Sequence, residues 1–102
     1  MQVTVRDLSM MPLLILDDVI EVEPGSPVPD GRVCLVRYGK KESFRRVFKK
    51  GEFYCLKPLN PDWNYAIKYI HVEMVEIFVI SEVSRVWLNL RFKRRKVSNR
   101  YW

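Results

Sequence analysis

Turn signals recur about every ten residues along this chain, a spacing that suits short strands and little else. Pro24-Gly25-Ser26-Pro27, Pro29-Asp30-Gly31, Gly39-Lys40-Lys41, Lys49-Lys50-Gly51 and Leu59-Asn60-Pro61-Asp62 mark the breaks. Each group carries residues that preset or tolerate turn dihedrals, and a helix of several turns cannot run through it. The stretches between them read as strands. Val3–Val5 alternates with polar neighbours. Val19–Glu23 alternates strictly, with Ile20 and Val22 facing away from Val19, Glu21 and Glu23. Val33–Tyr38 is a short apolar strand. Ser43–Phe48 and Glu52–Lys57 form a hairpin around Lys49-Lys50-Gly51. Val72–Val83, rich in β-branched residues, is predicted as one long strand, with Val86–Phe92 as its partner. No segment keeps a helical period over several turns. The expected class is all-β, a compact sandwich or partly barrel-shaped fold.

At 102 residues the chain has room for one domain. Its hydrophobic fraction of 48% and charged fraction of 29% exclude a disordered chain. Charge is unevenly placed. Residues 1–90 hold 12 basic and 12 acidic residues, while Arg91, Lys93, Arg94, Arg95, Lys96 and Arg100 follow with no acid. The whole net charge of +6 therefore lies in residues 91–102. This divides the chain into a neutral body, residues 1–90, and a basic tail, residues 91–102. Attraction to polyanions must come from the tail.

Cys34 and Cys55 each lie between apolar neighbours and read as buried free thiols in a cytoplasmic setting. The only histidine, His71, has no metal-ligand spacing with them, so no metal is expected. No cofactor or small-molecule ligand is expected either. The apolar run ending at Leu13–Leu16 is too short to span a bilayer, and no membrane association is predicted. Trp63, Tyr65, Tyr69, Phe78 and Trp87 are expected in the core or an interface.

Ser9-Met10-Met11-Pro12 resembles the Ser-Met-x-Pro signature that opens the catalytic domain of LexA-like self-cleaving repressors and their UmuD relatives. The resemblance continues in order. Asp18-Val19-Ile20-Glu21-Val22 stands where the family has an acidic residue opening a strand. Asp30-Gly31-Arg32-Val33-Cys34-Leu35-Val36 is similar to the family's Asp-Gly turn and apolar strand. Phe44-Arg45-Arg46-Val47 stands where the family has an apolar residue, lysine, arginine and an aliphatic residue. Leu56-Lys57-Pro58-Leu59-Asn60-Pro61-Asp62-Trp63 is similar to the leucine, asparagine, proline and aromatic pattern that follows. These anchors span about residues 2–88 and are far more specific together than singly.

The resemblance implies a serine–lysine dyad, in which a neutral lysine takes the serine proton and the alkoxide attacks a peptide bond. Carried over, Ser9 holds the nucleophile position and Arg45 the lysine position. Arginine stays protonated in proteins and cannot act as a general base. Position 46 is also arginine, so a one-residue slip changes nothing. The family's cleavable segment and helix-turn-helix domain precede the strand with which this chain begins, and self-cleavage is expected to lack its usual substrate.

The resemblance therefore implies a homodimerising regulatory domain of a LexA-like or phage-type repressor, in transcription regulation of the SOS-response kind, without peptidase activity. Its dimer interface is expected around Val75–Leu90, with Phe78, Ile80 and Trp87 as contacts. Two other readings stay open. One is a serine peptidase using Ser9 with a displaced base. The other is nucleic-acid binding through Arg91, Lys93, Arg94, Arg95 and Lys96, with stacking by Tyr101 and Trp102. At Ser9 the bland reading is a turn serine that bonds backbone amides. At Arg45 it is an exposed strand arginine, against one that donates to a carboxylate or to the Ser9 hydroxyl.

Overall fold

The computed structural model describes residues 1–25, 30–85 and 90–93. They form eight strands: β1 (Gln2–Thr4), β2 (Val19–Pro24), β3 (Arg32–Tyr38), β4 (Lys41–Lys50), β5 (Phe53–Lys57), β6 (Lys68–His71), β7 (Glu76–Arg85) and β8 (Leu90–Lys93). All pairings are antiparallel. The order is β1-β2-β7-β3-β4-β5-β6, with β8 also on β7. Among the described residues no ladder joins β6 back to β1. The all-β class holds, with an open sheet in place of a closed barrel.

β7 organises the sheet. One of its edges pairs with β2 along Phe78–Ser84. The other pairs with β3 along Glu76–Val79 and then with β8 along Glu82–Arg85. Strand alternation sends successive side chains to opposite faces, and each face has its own core. One holds Ile20, Val22, Val33, Leu35, Phe44, Ile80 and Val83. The other holds Cys34, Val36, Val47 and Leu56. The alternation of β2 is as predicted, with Ile20 and Val22 buried.

The predicted hairpin is β4–β5, and a second tight hairpin joins β3 to β4 at Gly39. Gly39 and Gly51 take φ of 58° and 62°, the left-handed region that glycine enters without a Cβ clash.

One expectation needs correction and another is narrowed. The strand predicted over Val72–Val83 begins only at Glu76, because Val72–Met74 forms a 3-10 turn. The Glu73 amide donates to His71 Nδ1 at 3.2 Å and fixes that turn. Tyr69, expected in the core or an interface, stands on β6 at 65% exposure, which removes the core and leaves the interface. Two further elements are additions. β6 itself follows a 3-10 helix over Pro61–Ala66, with Asn60 as its N-cap.

Among the described residues no helix is long and apolar enough to cross a membrane. Both cysteines are free and buried. Within the same residues no group of three His, Cys, Asp or Glu is placed to hold a metal ion.

Candidate functional site

The site begins with the loop between β1 and β2. Its base is closed by the Val5 amide on Asp18 O at 2.9 Å and the Asp17 amide on Val5 O at 3.1 Å. Inside the loop, Met11 N–H reaches Leu8 O and Leu14 N–H reaches Met10 O. Met10 and Leu14 are buried and drive the loop onto the first core. The Met11–Pro12 peptide is cis.

The far end of the loop is pinned by charge. The Asp18 carboxylate is buried and accepts from Arg85 Nε at 3.1 Å and from the Ile15 amide at 3.0 Å. Arg85 Nη2 also donates to Leu13 O at 2.8 Å. One guanidinium thus ties the loop to the end of β7.

Ser9 sits in this loop and is only 1% exposed. Its hydroxyl donates to Asp7 Oδ1 at 2.5 Å, and its amide donates to the same oxygen at 3.0 Å. Asp7 forms an Asx-type turn with two donors of a single residue. Asn60 holds the other side. Its amide donates to Ser9 O at 2.8 Å and its Nδ2 to Leu8 O at 2.9 Å. The peptide on either side of Ser9 is therefore fixed by the segment that follows β5.

Arg45 arrives from β4. That strand pairs with β5 only from Arg46 onward, so the edge along Lys41–Arg45 carries no β5 partner. Ser9 lies beside the end of this stretch, and Asn60 bonds Ser9 in turn. Arg45 is buried, and its Nη1 donates to Ser9 Oγ at 2.7 Å and to Phe44 O at 2.7 Å. Of the two readings open for Arg45, donation to the serine hydroxyl is the one found, and the exposed strand arginine is not. Ser9 is a turn residue as well as the partner of Arg45, but its hydroxyl bonds a carboxylate and not a backbone amide.

The chemistry of this arrangement follows from its donors and acceptors. A serine hydroxyl has one proton to give, and here it points at Asp7. A lone pair of the oxygen is held by a guanidinium that has no lone pair to accept a proton. The one base in contact with the hydroxyl is a carboxylate, which as a class is far weaker than a neutral amine.

The sequence model of the Peptidase S24-like family matches residues 1–81. The chain belongs to this family, that of the C-terminal domains of LexA, UmuD and phage repressors. No curated protein and no solved structure matches the chain. Within the family frame, the two positions expected to form the dyad, Ser9 and Arg45, are in hydrogen-bond contact.

Other predicted positions fall elsewhere. Phe78 is partly buried against the first core, with the Arg37 guanidinium 5.0 Å from its ring centroid. Ile80 is inside that core at 1% exposure and has no surface to offer a partner as the chain stands. Trp87, Arg94, Arg95, Lys96, Tyr101 and Trp102 lie outside the described residues. Arg91 and Lys93 belong to β8. The sequence reading passed over Asp7 and did not give Asn60 its positioning role. The Asp-x-Ser spacing of an Asx turn was the available signal for the first.

Proposed function

We propose that the chain is the homodimerising, regulatory domain of a LexA-like or phage-type transcriptional repressor, and that it does not cleave itself. The observation that carries the second half is the bond from Arg45 Nη1 to Ser9 Oγ at 2.7 Å. It puts a permanent cation where the reaction needs a neutral base. The burial of Ser9 supports the same reading, because a nucleophile must come within about 3–3.5 Å of its target carbon. The regulatory half rests on family membership. Dimerisation would run through residues 75–90, with Phe78 and Trp87 as contacts. DNA contact is assigned to an upstream domain or to the basic residues 91–102. The two reduced thiols suit a cytoplasmic protein.

Cleavage is tested by incubating the chain at raised pH with a peptide carrying an Ala-Gly bond. The expected result is no cleavage by the native chain and measurable cleavage by Arg45→Lys. Cleavage by the native chain that disappears in Ser9→Ala would overturn the proposal. Light scattering tests the dimer. A dimer that dissociates more readily in Phe78→Ala is expected, and a native chain that stays monomeric at high concentration refutes this part.

One observation favours a second reading, a serine peptidase with a displaced base. Asp7 Oδ1 already accepts the Ser9 hydroxyl proton. That reading requires cleavage by the native chain that falls in Asp7→Asn, in the same assay.

A further inference from the structure

Beside the Ser9 loop lies a cavity of about 480 Å³ that the proposed function does not use. It is lined by Tyr38, Lys41, Glu42, Ser43, Arg45, Ala66 and Lys68. The volume falls in the ordinary range of small-ligand sites. Its construction follows from the strand. Lys41, Ser43 and Arg45 are alternate residues of β4 and point to one side of it. They do so along the stretch of β4 that β5 leaves unpaired. Tyr38 is directly opposite Lys41 on β3. Lys68, at the start of β6, brings its ammonium within 5.6 Å of the Tyr38 ring centroid.

The charges are one-sided. Three cationic side chains, Lys41, Arg45 and Lys68, face a single acid. That acid is already committed, since Glu42 accepts from Arg37 Nε at 3.0 Å and Nη2 at 2.8 Å. Among the described residues Lys41 and Lys68 form no salt bridge with any acid. A second, independent feature points the same way. Ser43 Oγ is buried and has no hydrogen-bond partner among the described residues. A buried hydroxyl without a partner is costly, and its persistence asks for a group that completes it.

We propose that this cavity is a binding site for an oxyanion, a carboxylate or a phosphate. The anion accepts from the ammonium groups of Lys41 and Lys68 and, once a small shift of the lining uncovers it, from Ser43 Oγ, and Arg45 closes the floor beside Ser9. The tyrosine wall carries the apolar part of the ligand. The ligand would sit next to the Arg45–Ser9 bond. This site goes against the expectation of no small-molecule ligand, and it does not rest on the repressor reading.

The test is a titration of the full chain, labelled with nitrogen-15, followed by amide shifts. The probes are N-acetyl-aspartate amide, inorganic phosphate, and N-acetyl-asparagine amide as the neutral control. Saturable shifts are expected at residues 41–45 and 66–68 with at least one anion, and none with the control. Whichever anion binds identifies the source of the oxyanion. Binding should weaken as ionic strength rises through the screening range. The double variant Lys41→Gln/Lys68→Gln changes exposed side chains and should bind about tenfold more weakly. Ser43→Ala should bind several-fold more weakly while its stability holds or rises, since it removes an unsatisfied hydroxyl. No saturable shift with either anion up to about 50 mM would overturn the proposal, as would undiminished binding in the double variant.

Discussion

Asp7 and Arg45 meet on one atom: Ser9 Oγ donates to Asp7 Oδ1 at 2.5 Å and accepts from Arg45 Nη1 at 2.7 Å. The serine is a neutral bridge between a carboxylate and a guanidinium, and the guanidinium has no lone pair with which to take its proton. The cation strengthens the bond the hydroxyl makes to the carboxylate, because donor and acceptor polarise one another in a chain. The bridge also joins the β1–β2 loop to β4, so it fixes the loop while engaging both the proton and a lone pair of the serine oxygen.

Such a bridge predicts energetic coupling between its ends. In a double-mutant cycle of Asp7→Asn and Arg45→Gln, the interaction energy should be about 1 kcal/mol. The same cycle in a Ser9→Ala background should fall to about 0.3 kcal/mol or less, the level of independent sites. Urea denaturation measures all the terms. Equal coupling in both backgrounds would mean that the acid and the guanidinium act on each other directly and that the serine is incidental.

The other end of the loop predicts a larger effect. Asp18 is fully buried as a side chain, and Arg85 is 17% exposed. Removing one partner of a buried pair leaves the other charge without its counter-ion. Asp18→Ala should therefore lose about 3 kcal/mol of unfolding free energy, at the low end of the range because Arg85 keeps some water. It should also free Leu13 O and the Ile15 amide, which the same network holds. Amide exchange across residues 13–17 should rise together with the loss of stability. A loss below about 1 kcal/mol would place this pair with ordinary surface salt bridges.

Much of this was legible in the sequence, for reasons that differ by element. The alternation in Val19–Glu23 fixed which side chains of β2 are buried, because a half-buried strand has no other way to satisfy both faces. Gly39 and Gly51 marked both hairpins, because their left-handed backbone favours glycine. Ser9 and Arg45 came from ordered anchors, and the contact between them is a tertiary fact that those anchors implied. Asp7 left only the short Asp-x-Ser spacing of an Asx turn. An acid two residues before a serine in a turn carries no periodic signal, and it becomes informative only when its oxygen is seen to take both donors of Ser9. The start of β7 was misjudged because Val72 and Val75 look like strand residues, while a three-residue 3-10 turn leaves no pattern of its own. Ile80 was read as an interface residue from its place on a late strand, but β7 is an interior strand paired on both edges, and Ile80 is buried in the first core.

The apolar half of the loop predicts a cavity effect that should reach the site. Leu14 is fully buried and lies in the first core with Met10, one residue from Ser9. Leu14→Ala should cost about 2–5 kcal/mol, the range for a leucine removed from a close-packed core. Leu14→Met should cost less than about 1.5 kcal/mol, because volume is kept. If the loop is held chiefly by this packing, Leu14→Ala should also expose Ser9 to a serine-directed phosphonate. A stable variant with no such labelling would show that the polar contacts alone seat the loop.

The polar contacts can be weighed through Asn60, which touches the loop by two routes. Its main-chain amide holds Ser9 O, and its side chain holds Leu8 O while accepting from the Asp62 amide at 3.1 Å. Asn60→Ala removes the side-chain route and the helix cap, and keeps the main-chain route. The cost should be about 1–2 kcal/mol, the sum expected for one hydrogen bond and one N-cap. Asn60→Asp separates the two. Its carboxylate caps the 3-10 helix as well as asparagine does but offers no donor to Leu8 O. Asn60→Asp should therefore recover the capping share and still lose the hold on Leu8, with faster amide exchange at residues 8–11 than in the native chain. If Asn60→Asp matches the native chain in both stability and exchange, Asn60 serves the helix after β5 and not the serine loop.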